Sequence, residues 1–377
     1  MKAIINGKII LKDGIVENKA LLFDDKIIGL ADDAAAADEI IDAQGMYVSP
    51  GFVDVHIHGY LGEDASDGRE EGMRRMAQGV LQNGVTSFLP TTMTVAWSEI
   101  EKAFEVIRRL MPESRTADFS GAQILGCHAE GPFINPSKKG AQAAEAILPP
   151  DAEKLLAHKD VVRMVTFAPE MPGGVDFAQK IRQESDIVLS IGHTNATYEE
   201  AMAAIDAGAD HITHTFNAMS ALSHRAPGVV GAAFCSDAYC ELIADTFHIH
   251  PGLFKLFNKT KGDKLVLITD CTRAGGLQDG EYTLGGQPIF VKGIECRLAD
   301  GTIAGSVLKM NDAVRNFRDH AGVSLCEAVN CASLYAARSI GADACKGSLE
   351  ASKDADVVLI DEACNVHAVF VCGVKKV

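Results

Sequence analysis

The sequence predicts an α/β protein, a (β/α)8 TIM-like barrel with a small β-sandwich formed by both ends of the chain. Two observations lead to this fold class. The middle of the chain alternates apolar strand-like runs with amphipathic helices, which is typical of βα units in a parallel sheet. The two ends consist of short β-type runs separated by turns. At 377 residues and 47% hydrophobic, the chain can bury a core of that size.

Eight strand-like runs can be counted in the middle of the chain, and eight parallel strands favour a closed barrel over an open sheet. Ser/Thr-x-x-Glu spacing at Thr197 and Ser324 indicates helix starts between strands. The eight runs are 52–58, 85–90, 123–130, 162–169, 187–193, 211–215, 241–248 and 264–270.

The domain limits are placed where short strand-like runs give way to alternating strands and helices, and where the short runs return. We expect residues 1–50 and 346–377 to form the sandwich and residues 51–345 to form the barrel. Asp-Gly and Gly-Gly turns interrupt the alternation at 275–305, which predicts a β-hairpin insertion on the barrel rim. The expected terminal strands are 3–11, 19–23, 26–30, 355–360 and 366–374.

The composition argues against several kinds of binding partner and cellular location. The net charge of −16 disfavours nonspecific binding to nucleic acid or to anionic membranes. The chain has no run near the roughly 18 apolar residues of a membrane span, and its start lacks the apolar core of a signal peptide. The 10 cysteines are scattered, without a CxxC pair, so we expect reduced thiols and a cytoplasmic protein.

Ionisable side chains fall at the ends of the predicted strands, where barrel active sites are built. Imidazole and carboxylate groups suit one or two divalent ions, with zinc or iron expected first and manganese or cobalt as alternatives. A single His-x-His pair or a single glutamate would more simply be structural or solvent-exposed. Six ligand-type residues at the ends of predicted strands favour a metal site instead. The six predicted ligands are His56, His58, Glu130, His193, His214 and Asp270.

Strand parity separates these ligands from their neighbours. His56 and His58 are two residues apart and therefore point to the same face of a strand. Asp54 shares that face and could support them. His211 has the opposite parity to His214, so we expect it to be structural.

Five segments carry a family resemblance. In order along the chain they read PGFVDVHIHG at 50–59, HAEGPF at 128–133, GHTNAT at 192–197, THTFNAM at 213–219 and AGS at 304–306. Together they resemble the N-acetylglucosamine-6-phosphate deacetylases of the amidohydrolase superfamily, from about residue 45 to about residue 345 and through the terminal sheets. This match is far more specific than any single motif.

The resemblance implies two groups of metal ligands. Members of the family that lack the His-x-His pair work with one metal, so the number of ions stays open for this chain. The principal metal would be held by Glu130, His193 and His214, and a second by His56, His58 and Asp270, with Glu130 bridging.

The resemblance also implies contacts with a phosphorylated amino sugar. Many members carry a histidine where this chain has Gln142, which can donate a hydrogen bond but cannot protonate the substrate. We therefore expect Gln142 to be a substrate contact without an acid role. In a homodimer, Arg225 and His248 would reach across the interface to grip the phosphate. The remaining substrate-binding residues would be Asn217, Ala218, Ala304 and Gly305.

The predicted activity is hydrolysis of N-acetylglucosamine 6-phosphate to glucosamine 6-phosphate and acetate, in amino-sugar catabolism or cell-wall recycling. Asp270 would take a proton from water and return it to the leaving amine. Three alternatives stay open. The first is the galactosamine isomer as substrate. The second is a cyclic-amide hydrolase of the dihydroorotase or hydantoinase type, which would need a strand-end lysine that has no candidate here. The third is a noncatalytic barrel, which would be expected to have lost ligands.

Overall fold

The N-terminal part of the chain forms seven short strands. The computed structural model describes residues 1–377. The predicted strand 3–11 is in fact two strands, because Asn6 adopts a positive φ of 55° and turns the chain before Lys8. The seven strands are β1 (Lys2–Ile5), β2 (Lys8–Leu11), β3 (Gly14–Val16), β4 (Ala20–Phe23), β5 (Ile27–Ala31), β6 (Glu39–Asp42) and β7 (Tyr47–Pro50).

The next eleven strands contain the barrel, together with the short hairpin β9–β10. The predicted third barrel strand is divided into β12 and β13, and the predicted sixth is only two residues long. The strands are β8 (Phe52–Ile57), β9 (Gly59–Tyr60), β10 (Glu63–Asp64), β11 (Val85–Thr92), β12 (Gln123–Ile124), β13 (Cys127–Glu130), β14 (Val162–Phe167), β15 (Val188–Ile191), β16 (His211–Ile212), β17 (Tyr239–Ile243) and β18 (Leu265–Ile268).

The parallel pairing order β8-β11-β13-β14-β15-β16-β17-β18 forms a nearly closed barrel. A parallel bridge between Ile57 and Cys271 joins the last strand region back to the first. These pairings confirm the predicted (β/α)8 architecture. All eight strands run in the same direction, so their carboxyl ends meet at one mouth.

The rim insertion is larger than the predicted hairpin. It is a three-stranded antiparallel sheet of β19 (Gly280–Leu284), β20 (Gln287–Lys292) and β21 (Glu295–Leu298). Leu284 and Ile289 of this sheet pack with Met93 and Ala141 of two barrel loops. The insertion therefore covers one side of the barrel mouth.

Ten helices connect the strands. The Thr197 hydroxyl and the Glu200 carboxylate form the predicted capping box at the start of α5, and Ser324 caps α9. None of the helices combines the length and apolar character needed to cross a membrane. Their bounds are α1 (Glu70–Val80), α2 (Trp97–Glu113), α3 (Ala152–Leu156), α4 (Gly174–Glu184), α5 (Tyr198–Asp206), α6 (Gly228–Cys235), α7 (Phe254–Lys261), α8 (Met310–Ala321), α9 (Leu325–Ala332) and α10 (Leu334–Ser339).

The C-terminal strands return to the N-terminal ones. They are β22 (Val357–Ile360), β23 (Val366–Val371) and β24 (Val374–Lys375), and they pair in the order β24-β23-β22-β7-β2-β3. A second sheet has the order β5-β4-β1-β6. Side chains of both sheets share one apolar cluster that includes Ile4, Phe23 and Phe370. The two ends of the chain therefore form a separate β unit. Its limits, residues 1–50 and 346–377, remain a prediction.

The predicted seventh barrel strand, 241–248, is wrong at its C-terminal end. β17 stops at Ile243, and Asp245 Oδ1 accepts the backbone N–H groups of Phe247 and His248 at 2.8 Å each. These local hydrogen bonds compete with strand pairing and turn the chain. The turn places His248 at the barrel mouth.

Candidate metal centre and active site

All six predicted ligands converge at the carboxyl end of the barrel. His56 lies in β8 and Glu130 ends β13. His193, His214 and Asp270 each follow a barrel strand by two residues, and their φ angles are 46°, 27° and 48°. Three non-glycine residues in the left-handed region store backbone strain, which is typical of functional sites.

Glu130, His193 and His214 form the first group of donor atoms. Glu130 Oε1 lies 3.2 Å from His193 Nε2 and 3.0 Å from His214 Nε2. The two Nε2 atoms are 3.1 Å apart. Ligands of a tetrahedral zinc, each about 2.0–2.1 Å from the ion, lie about 3.3 Å from one another. The spacing and the N/O chemistry of this group therefore fit a divalent metal.

The second group contains His56, His58 and Asp270. Asp270 Oδ1 is 3.5 Å from His56 Nε2 and 3.2 Å from His58 Nε2. Glu130 contacts this group as well, since its Oε1 lies 3.4 Å from His56 Nε2 and its Oε2 lies 3.3 Å from His58 Nε2. One carboxylate thus lies between two sets of donors.

The buried carboxylates of the cluster need positive charge beside them. Burial by itself would lower the pKa of His58, but Asp270 and Glu130 raise it to about 10. Burial would raise the pKa of Asp270, yet His56 and His58 lower it below its usual value. In the metal-free protein, imidazolium protons balance the buried carboxylates. A divalent cation would supply that charge and displace the protons.

The Nδ1 atoms of three histidines point away from the cluster, and each lies close to an oxygen atom. Such contacts fix the tautomer and leave Nε2 for the metal. The Nδ1 atom of His56 lies 3.0 Å from Glu241 Oε2, that of His58 lies 3.1 Å from Thr91 O, and that of His193 lies 2.8 Å from Lys138 O.

Asp54 and His211 have the supporting positions that strand parity predicts. Asp54 Oδ2 accepts the Thr269 hydroxyl at 2.6 Å, and its Oδ1 accepts the backbone N–H of His56 at 3.3 Å. Burial raises the pKa of Asp54 to about 7. His211 is fully buried and lies outside the cavity.

Sequence reasoning missed Glu241. Its side chain is completely buried in β17, between His56 and the backbone of His214. The available signal was a carboxylate inside an otherwise apolar strand, since such residues are rarely buried without partners. His128 also lies close to His56, but its nitrogens face Val55 O and Thr166 Oγ1, and burial lowers its pKa to about 3. It is therefore a neutral structural histidine.

A cavity of about 370 Å³ opens above the donor cluster. Lys138 lines it, although sequence reasoning did not single out this residue. A larger cavity of about 730 Å³ contains none of these residues, so the chemistry belongs to the smaller one. Five of the predicted substrate-binding residues line the smaller cavity, and they are Gln142, Asn217, Ala218, His248 and Gly305.

Two of the predicted substrate-binding residues, Arg225 and Ala304, do not line this cavity. Arg225 is exposed and does not line the cavity of its own chain. His248 does line that cavity, which differs from the expectation that a partner subunit supplies it. Ala304 is buried beside the wall without lining it. Gln142 is already engaged, because its amide N–H donates to Glu130 and its carbonyl accepts from the Thr94 backbone at 2.6 Å.

Comparisons with known proteins agree with this geometry. The chain is 41% identical over 323 residues to the N-acetylglucosamine-6-phosphate deacetylase of Bacillus subtilis (strain 168), covering 84% of this chain and 81% of the relative. It is 36% identical over 360 residues to the N-acetylgalactosamine-6-phosphate deacetylase of Escherichia coli O157:H7, covering 93% and 94%. The crystal structure of N-acetylglucosamine-6-phosphate deacetylase from Pasteurella multocida matches with a TM-score of 0.94 and 32% identity, covering 100% and 99%. The amidohydrolase family model matches residues 47–375, and the chain therefore belongs to the amidohydrolase family.

Proposed function

We propose that this protein removes the N-acetyl group of N-acetylglucosamine 6-phosphate by hydrolysis, releasing glucosamine 6-phosphate and acetate. The observation that carries the proposal is the position of Glu130. This carboxylate lies between two groups of metal-type donors at the floor of a cavity, in a chain whose relatives bear the name of that activity. The geometry suits the hydrolysis of an amide held above the cluster.

Asp270 is the residue placed to move the proton. A divalent metal, when bound by the cluster, lowers the pKa of water and polarises the amide carbonyl. In the metal-loaded site, the positive charge of the ion would keep the Asp270 carboxyl ionised at neutral pH, so this carboxylate could accept a proton from water. The same carboxyl then returns the proton to the leaving amine. Its backbone is held at both sides, since its N–H donates to His56 O and its carbonyl accepts from Ser306, both at 2.8 Å.

The cavity wall suits an anionic substrate in spite of the net charge of −16. Lys138 lines the wall, and its ammonium group donates a hydrogen bond to Met219 O at 3.2 Å. His248 Nδ1 lies 2.6 Å from Asp245 Oδ2, which leaves Nε2 available to the cavity. Charge-assisted donors of this kind bind phosphate oxygens.

A homodimer would give Arg225 a role. Its exposed position on the loop before α6 allows it to reach the cavity of a second subunit rather than its own. A planar guanidinium can bind two phosphate oxygens at once.

Zinc or iron, as one or two ions per subunit, is the proposed cofactor. The cytoplasm stays the predicted location.

The substrate is tested by measuring acetate release from the two isomeric sugar phosphates. N-acetylglucosamine 6-phosphate is expected to give the larger kcat/KM. A larger value for N-acetylgalactosamine 6-phosphate would transfer the proposal to that isomer, which the 36% identity to the Escherichia coli relative keeps as the second candidate. Acetate release from neither isomer by metal-loaded protein would contradict the proposed function.

A further inference from the structure

Glu241 is a completely buried carboxylate with contacts to both halves of the donor cluster. Its Oε2 lies 3.0 Å from His56 Nδ1 and accepts the backbone N–H of His214 at 2.8 Å. Its Oε1 lies 3.3 Å from His211 Nε2, without the direction of a hydrogen bond. A buried charge is costly unless it is paired and hydrogen-bonded, so the two contacts of Oε2 help to keep Glu241 inside the barrel.

The first contact determines which nitrogen His56 offers to a metal. With Nδ1–H facing Glu241, the lone pair lies on Nε2. That Nε2 atom is 3.4 Å from His58 Nε2 and 3.5 Å from Asp270 Oδ1. The opposite tautomer would place a hydrogen where the metal-binding lone pair is required.

The second contact holds the strained backbone of His214. This residue has a φ of 27°, outside the regions that non-glycine residues ordinarily adopt. The Glu241 side chain accepts the N–H of His214, and the Glu241 carbonyl accepts the N–H of Thr215 at 3.0 Å. Together they keep His214 Nε2 3.0 Å from Glu130 Oε1.

We propose that Glu241 is a positioning residue shared by the two halves of the donor cluster. One carboxylate oxygen orients His56 in the group with His58 and Asp270, and it orients His214 in the group with Glu130. The role rests on the proposed function, because it presumes that these histidines bind a metal. Glu241 itself does not touch the substrate.

The test is the affinity of metal-free protein for Co²⁺, measured by chelator competition and by the visible absorption spectrum of the bound ion. Glu241→Gln keeps the shape of the side chain and removes its charge. Glu241→Asp keeps the charge but draws the carboxylate back from His56. Loss of an outer partner of a ligand typically weakens metal affinity by about 10- to 100-fold, and we expect a loss in this range for both variants, with a changed spectrum.

His211→Gln is the matched control, because His211 touches the other oxygen of Glu241 and no atom of the donor cluster. Its Co²⁺ affinity is expected to stay within about threefold of wild type. Wild-type affinity in Glu241→Asp would show that only the charge matters and would overturn the positioning role. An equal loss in His211→Gln would indicate a general packing defect and would also overturn it.

The outcome separates this inference from the proposed function. If wild-type protein fails to bind Co²⁺, the metal site and the proposed function fail together. If wild-type protein binds Co²⁺ and deacetylates the substrate while both Glu241 variants bind as tightly, only the positioning role fails. Circular dichroism establishes that each variant is folded, and Glu241→Asp decides the question if Glu241→Gln does not fold.

Discussion

Gly305 follows the rim insertion and lies against the backbone of Asp270, and adding one methyl group there should damage catalysis. Its φ of 58° lies in the left-handed region, and a Cβ atom would lie 2.6 Å from Thr272 Cγ2 and 3.0 Å from Asp270 O. Ordinary contact begins at 3.4 Å, so the Asp270 backbone must move by about 0.4 Å or the Gly305 loop must move away.

Gly286→Ala separates backbone strain from this contact. Gly286 also has a positive φ, of 81°, but a Cβ atom there would meet nothing within 4 Å. Both variants carry the cost of a left-handed alanine, about 1–2 kcal/mol. Gly305→Ala adds an overlap cost of about 1–3 kcal/mol. We therefore expect urea unfolding to show a loss of about 2–5 kcal/mol for Gly305→Ala and about 1–2 kcal/mol for Gly286→Ala.

The effect on activity is the sharper measurement. Displacing a catalytic group by 1 Å can cost about 100-fold, so a smaller shift of Asp270 is expected to lower kcat by about 10-fold. Gly286→Ala should leave kcat within about twofold of wild type. Acetate release by the two folded variants at saturating substrate provides the comparison. Equal kcat values for both variants would refute the argument that the Gly305 contact positions Asp270.

Three further predictions concern proton transfer, phosphate binding and pH. Asp270→Asn should lower kcat by at least about 100-fold with KM nearly unchanged, and near-normal turnover would assign the proton transfer to another group. Arg225→Ala should raise KM for the phosphorylated sugar by roughly 10- to 150-fold, and more than for unphosphorylated N-acetylglucosamine, whereas equal losses would remove the phosphate role. In metal-free protein, the raised pKa of His58 stabilises the fold fully below about pH 6.5, and this contribution is lost as the pH rises towards 10. The urea midpoint of metal-free protein should therefore fall over that range more than that of zinc-loaded protein, and parallel falls would contradict the assignment.

The barrel and the ligand cluster were predictable because both depend on local patterns. Apolar runs of strand length identify the barrel strands, and the carboxyl ends of parallel strands necessarily share one mouth. His193, His214 and Asp270 could be placed there without knowing their φ angles. Asn6 shows the limit of this reasoning, since its left-handed backbone splits one apolar run into two strands.

Contacts between distant strands were not predictable in the same way. Glu241 is 185 positions from His56 in sequence, and only the closed barrel brings the two side chains to 3.0 Å. His248 was expected to come from a partner subunit, yet the Asp245 turn places it on the cavity of its own chain. Strand periodicity carries no information on such a turn, because side-chain hydrogen bonds to the backbone determine it.

The most direct test of the account is the acetate released from N-acetylglucosamine 6-phosphate by protein stripped of metal and then reloaded. Glu130, His193 and His214 lie close enough to share one ion, so stripped wild-type protein should be inactive and added zinc, iron(II), manganese or cobalt should restore turnover. Protein with Glu130→Ala should neither retain the ion nor recover activity. Undiminished acetate release by fully stripped wild-type protein, or stoichiometric metal and normal turnover in Glu130→Ala, would contradict the account.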